Sequence, residues 1–315
     1  MTSAYTDTDF SGTMIADVSP VNPAPNSAVN IKVTSYATDL NRSTIVWSAN
    51  GSTFTQGIGL RTVSVKVGSA GSKTTIRITA HTPEGATFAK DLSFSPAGID
   101  LLWQAHTSVP PYYIGRALPT AGSNITIMAE PDFINPAGKR IDSANIVYEW
   151  SRNGNKLESA SGYGKYYLDI NNLSNFSNET ISVKATDISG QLVAENTIAI
   201  PVLAPRLAIY EEDSLMGTKF ETAITRVFNL FTEEVTLRGE PYFYPRISST
   251  PAPVWMVNGE VTNTDRTNPS LITLREPTGK SGTAALVYNI DGGGNTRQSL
   301  QLPITINFGA KQMRF

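Results

Sequence analysis

Three of the chain's four tryptophans occupy one pentapeptide pattern, W-x-x-N-G: Trp47 to Gly51, Trp150 to Gly154 and Trp255 to Gly259. The first two tryptophans are 103 residues apart and the next two 105, an almost constant interval in a chain of 315. That interval is the size of a domain. Solenoid and propeller repeats run roughly 20 to 50 residues and borrow a core from their neighbours, whereas ~100 residues can bury a core of their own. The expectation is three domains, 1–98, 99–204 and 205–315, with boundaries at Pro96-Ala97-Gly98 and at Pro201 to Pro205. Both joints are short and contain proline, which predicts a semi-rigid linear array over freely hinged beads.

The same order of segments surrounds each tryptophan. Ahead of Trp47, Val29, Ile31 and Val33 alternate with Asn30, Lys32 and Thr34, the period of two of a half-buried strand. "STIVWSANG" reads as a second strand closed by an Asn-Gly hairpin turn, and "TTIRITAHTPEGATFAKDLSF" as a hairpin turning at Pro83-Glu84-Gly85. "SNITIMAEPDF", "NIVYEWSRNG", "KYYLDI" and "ETISVKATDISGQLVAENTIAI" repeat that order, the last turning at Asp187 to Gly190. "EEVTLRGEPYFY", "APVWMVNG", "SLITLRE" and "TAALVYNIDGGGNTRQSLQLPITINF" repeat it again, with a turn at Asp291 to Asn295. Short strands at regular spacing with turn signals between them predict an all-β fold of three tandem Ig-like β-sandwich domains. Gly217 to Phe231 alone has helical spacing, through Phe220, Ile224, Val227, Phe228 and Phe231. Its counterpart "PPYYIGRALPTAG" is too rich in Pro and Gly for a helix, so an irregular edge strand is expected there.

Composition narrows the function classes. Apolar residues make up 40% and charged residues only 17%, with a net charge of −2, so there is no basic face on which nucleic acid would bind. Cysteine is absent, which excludes disulfides, thiolate catalysis and Cys-ligated zinc. "MTSAYTDTDF" is polar, and no run approaches the ~18 apolar residues of a membrane span, so no membrane insertion is expected within this segment. An anchor or signal outside it stays open.

The order strand, tryptophan strand, Asn-Gly turn and closing hairpin resembles tandem bacterial immunoglobulin-like domains, including the polycystic-kidney-disease-type sandwiches. The W-x-F-G-D-G form of many such repeats is missing, as is an inter-sheet cysteine pair. "SYATDLNRSTIVWSANG…GIGL", "GIDLLWQAHTSVPPYYIGRALPTAGSNITIMAEPDF", "SGYGK" and "YEEDSLMGT" further resemble a family of tandem Ig-like surface proteins encoded by Patescibacteria. That resemblance implies an exported or surface location and supplies no mechanism.

Trp47, Trp150 and Trp255 are expected in the cores, because a core position recurs in every copy of a fold while a binding site usually survives in one. Trp103 lies outside the pattern and is followed by Tyr112 and Tyr113 in a proline-rich stretch; the three are the candidate binding residues, with junction packing as the alternative. "EPDF" and "EPYF", from Glu130 and Glu240, read as strand ends closed by proline. No metal is expected: Asp7, Asp9, Glu233 and Glu234, and above all Glu211, Glu212 and Asp213, are only weak calcium candidates, for no D-x-[DN]-x-[DN]-G loop is present. No cofactor is expected. His81 and His106 fall in different domains with no triad or metal spacing, Gly57-Ile58-Gly59 lacks the third glycine of a dinucleotide loop, and no nucleophile elbow or P-loop occurs. Six N-x-[ST] triplets, at Asn41, Asn50, Asn124, Asn172, Asn175 and Asn178, are what an Asn-rich chain supplies by chance. The sequence therefore predicts a non-enzymatic structural or adhesion array at a bacterial cell surface, with a protein or cell-surface partner. A glycan-binding module and a virion or tail protein are the alternatives.

Overall fold

Alternation sets the strands in the computed structural model. It describes residues 5–6, 14–135, 137–174, 177–246, 252–262, 264, 267–276, 281–291 and 299–309. Asp7 and Asp9, Asn175 and most of the Asp291 to Asn295 turn lie outside them. In Ala28–Thr34, Val29, Ile31 and Val33 point inward and the residues between them outward. Thr74–His81 buries Thr74, Ile76, Ile78 and Ala80 in the same rhythm. Among the described residues the regular structure is strand throughout, broken only by two 3-10 turns, Ser143–Asn145 and Glu158–Ala160.

Two compact units account for the chain: 1–102 with 128–168 and 180–198, and 103–127 with 169–179 and 199–315. In the first unit, Tyr5–Thr6, Ile15–Ser19, Ala28–Thr34 and Thr62–Lys66 form one sheet in that order. Ser52–Ile58, Thr44–Ala49, Thr74–His81 and Thr87–Phe94 form another. Val29, Ile31 and Val33 from one sheet share a core with Ile45, Trp47, Ile76 and Ile78 from the other, so the arrangement is a β-sandwich. A further sheet runs Asn155–Lys156, Ile146–Arg152, Glu179–Asp187, Val193–Ile200, with Gly162–Tyr163 also paired to Ile146–Arg152. Tyr167–Ile170, Ile125–Asp132 and Gly98–Ala105 pair in that order, each strand having residues in both units.

The second unit contains another sandwich. Gly217–Thr218, Arg206–Asp213, Glu234–Tyr242 and Leu271–Arg275 make one sheet; Val227–Leu230, Leu300–Phe308, Gly282–Ile290, Val254–Val257 and Glu260–Val261 make the other. Ile209, Leu237 and Ile272 face Trp255, Leu286, Tyr288 and Ile304 across the core. The 217–231 stretch is no helix: it gives the two-residue strand Gly217–Thr218, then Val227–Leu230, an edge strand parallel to Leu300–Phe308. Alternating strands in opposed sheets make the chain all-β and immunoglobulin-like.

The W-x-x-N-G pattern has a common geometry in all three places. Asn50-Gly51, Asn153-Gly154 and Asn258-Gly259 each turn a two-residue hairpin with both φ values positive, between 47° and 87°. Each asparagine also ties its turn to the strand beyond. Its backbone N–H donates to the carbonyl of Thr75, Thr180 or Ala285 at 2.8 Å, and its Oδ1 accepts the N–H of that same residue at 2.9 Å.

Candidate functional site

The tryptophans of the pattern are all fully buried. Trp47 Nε1 donates to Leu60 O at 2.9 Å and Trp150 Nε1 to Lys165 O at 2.7 Å. Trp255 Nε1 has no hydrogen-bond partner among the described residues; its ring instead lies 4.6 Å from the ring of Tyr288. None of these faces is open to a ligand.

The candidate binding residues divide. Trp103 is half-buried, and the guanidinium carbon of Arg116 lies 4.5 Å from the centre of its ring, a cation–π arrangement. Tyr113 packs edge-on against Tyr242 and Phe243, with centroids at 6.0 and 5.6 Å. Tyr112 is 80% exposed and packs edge-on with Phe220, whose ring in turn lies against Tyr210. Tyr210 and Tyr242 close the row with a hydroxyl–hydroxyl bond of 2.7 Å. Burial foremost, and then the bond it shares with Tyr210, pushes the Tyr242 phenol above its ordinary value.

The backbone beneath this row is unusual. His106 to Ser108 runs beside Phe243 to Arg246: Ser108 N–H donates to Tyr244 O at 2.7 Å, Phe243 N–H to Ser108 O at 2.7 Å and Arg246 N–H to His106 O at 3.0 Å. Ser108 Oγ bonds Pro241 O and receives Tyr244 N–H, both at 3.1 Å, and buried Thr120 Oγ1 donates to Phe243 O at 2.8 Å. A segment N-terminal to the second sequence-predicted boundary thus adds a ladder to the sandwich that follows it. The repeated "EPDF" and "EPYF" end their strands at Asp132 and Tyr242, one residue beyond the proline, and bury Phe133 and Phe243.

The acidic triplet is used locally. Glu211 pairs with Lys219 Nζ at 2.6 Å. Glu212 accepts Arg238 Nε at 2.9 Å and Thr218 Oγ1 at 2.5 Å, and the Arg238 bond foremost holds its carboxyl below the ordinary range. Asp213 accepts the N–H groups of Leu215 and Met216 and caps their turn. Arg238 reaches Glu240 only at 3.5 Å, and burial raises the Glu240 carboxyl above its usual value. Among the described residues, no three His, Asp or Glu side chains gather as a metal site.

Sequence spacing gave no hint of one polar row. His106 Nε2 bonds Thr126 Oγ1 at 3.0 Å, and Thr126 Oγ1 donates to Asp169 Oδ1 at 2.6 Å. The single hydroxyl proton goes to the carboxylate, so the imidazole must be the donor to Thr126 and is not poised as a base towards it. His81 bonds Thr87 Oγ1 at 3.0 Å across its own hairpin.

No protein-family model matches the chain, and no curated protein does. Among solved structures, the three N-terminal domains of the bacteriophage RB49 Highly Immunogenic Outer Capsid protein align over 98% of this chain and all of theirs, at 10% identity and a TM-score of 0.28. The central fibronectin-III array of RIM-binding protein aligns over 89% of this chain and 92% of its own, at 11% and 0.30. Sidekick-1 immunoglobulin domains 1–5 align over 97% of this chain and 59% of theirs, at 11% and 0.33. Likeness at this level says nothing of ligand or partner, and the fold rests on the strand pairing itself. No helix among the described residues is long and apolar enough to cross a membrane.

Proposed function

We propose that the chain is a non-enzymatic, stiff array of three Ig-like domains, 1–98, 99–204 and 205–315, serving as a stalk or adhesion module of a bacterial surface protein. The observation that carries this reading is the hydrogen-bonded ladder between 106–108 and 243–246, which spans the second proposed joint. The first proposed joint has its own fastenings: Asn196 Nδ2 donates to Ile99 O at 2.7 Å, Asn22 Nδ2 approaches Glu195 Oε1 at 3.5 Å, and Gly71 lies against the Ile134 side chain. Residues 96–98 lie within one compact unit and 201–205 within the other, which supports fastened joints. A joint held by backbone bonds resists bending as a sheet does, which suits a spacer that holds a binding end away from its anchor.

Pulsed-EPR distances between a label at Asn171 and one at Glu260, both exposed and both in the compact unit that holds the second joint, test that joint. A narrow distribution in the native chain that broadens in Ser108→Pro, which removes the N–H given to Tyr244, is the expected result; a broad distribution in the native chain overturns stiffness. Detection of the protein by antibody on intact cells tests the location. The reading of Trp103, Tyr112 and Tyr113 as one glycan platform has less support, since Arg116 covers a Trp103 face and Tyr113 is spent on Tyr242 and Phe243.

A further inference from the structure

The end of the first sandwich formed by 34–41 carries a built concavity. Ile15 pairs with Thr34 at this end, while Pro25, Gly98 and the fastenings of the first joint lie at the other. The loop after Thr34 is held from within: Ala37 N–H donates to Ser35 Oγ at 3.1 Å, and Asp39 Oδ1 accepts both the N–H and the Nδ2 of Asn41 at 2.9 Å. Fully buried Ser43 donates its hydroxyl to Asp39 O at 2.9 Å, and Leu40 is sunk in the core. Gly59 fastens the other wall. Its N–H donates to Ser43 O at 3.0 Å, and its φ of +68° together with an approach of 3.0 Å from a would-be Cβ to Asn41 O leaves no room for another residue.

The concavity beside this loop, open to solvent, measures about 520 Å³ and is lined by Asp17, Thr34, Tyr36, Asp39, Asn41 and Arg61 among others. Only Ile15 and Leu40 are aliphatic, which leaves little for an apolar peptide anchor. Tyr36 is 93% exposed, although it stands on a loop fixed by four hydrogen bonds. An unburied aromatic on a hydrogen-bonded loop, beside carboxylate, amide and guanidinium groups, matches the two needs of a pyranose. Its C–H face stacks on the negative face of a ring, and its vicinal hydroxyls donate to carboxylates, accept from a guanidinium and do either with an amide. Arg61 among the carboxylates weighs against a bare cation, and Asp17 with Asp39 against an anionic ligand. The geometry points to a site for a neutral saccharide at Tyr36, independent of the stiffness of the array.

Titration calorimetry of the full chain with neutral gluco-, manno-, galacto- and N-acetylglucosamine oligosaccharides tests it. At least one series binds with a millimolar or tighter Kd, Tyr36→Ala weakens it at least tenfold at unchanged Tm, Tyr36→Trp retains it, and Tyr112→Ala leaves it unaltered. The site is overturned if none of the four series binds, if Tyr36→Ala binds as the native chain does, or if uronic-acid or sialylated oligosaccharides bind more tightly than all the neutral ones.

Discussion

A tryptophan filling the centre of a sandwich and an asparagine closing the next turn are coupled through the strand that carries both. Replacing Trp150 by Ala removes a fully buried ring and should cost about 3 to 5 kcal/mol in denaturant unfolding. The three tryptophans are not equivalent, however. Trp47→Phe and Trp150→Phe each strand a carbonyl that accepts the indole N–H, whereas Trp255→Phe strands none among the described residues, so it should be the mildest by about 1 kcal/mol. The asparagine separates into two roles in the same way. Asn153→Gly keeps the positive φ and loses the acceptor for Thr180 N–H, at about 1 kcal/mol; Asn153→Ala adds the left-handed penalty, roughly 1 to 2 kcal/mol more.

Packing between elements explains residues that look incidental in sequence. Gly239 lies on a strand where an added Cβ would strike the buried Tyr288 ring from the opposite sheet. Gly239→Ala should therefore destabilise this sandwich by about 1 to 3 kcal/mol, and the pair Gly239→Ala with Tyr288→Leu by less than the sum. On the outer side of the same sheet the two carboxylates flanking Arg238 titrate in opposite senses. The folded state holds Glu212 below its unfolded value, so its contribution is present above the ordinary glutamate range and is lost as pH falls through the lowered one. Glu240 is raised, so folding favours its neutral form and its ionisation costs stability as pH rises through the unfolded value and beyond. Glu240→Gln should accordingly be neutral or stabilising at pH 7, while Glu212→Gln destabilises there; urea midpoints at pH 7 and pH 3 check both, and the Glu212→Gln penalty should shrink at pH 3.

For the whole molecule, the period of 103 and 105 residues, the strand alternation and the Asn-Gly turns were legible in the sequence because each is a local rule: which face a side chain takes, which backbone angle a residue tolerates. Those rules suffice for an all-β, Ig-like chain, and they rightly preferred an edge strand to a helix over 217–231, although the edge strand Ser52–Ile58 escaped them for want of alternation. What joins the parts was not legible. Asn50 meets Thr75, His106 meets Thr126 and Asp169, and Ser108 meets Tyr244 across separations that leave no periodic trace. Tyr112 and Tyr113 are adjacent in sequence, yet one is exposed and the other packed, because only the ladder at 243–246 decides which side of the segment is covered. Tyr36 likewise reads as any loop tyrosine until Leu40, Ser43 and Gly59 fix the loop that displays it. The sequence by itself determined the repeated sandwich and its turns, since these follow from neighbours along the chain; the ladder at 243–246 and the exposed ring were decided by tertiary structure, since they depend on hydrogen bonds and burial between residues the chain brings together only on folding.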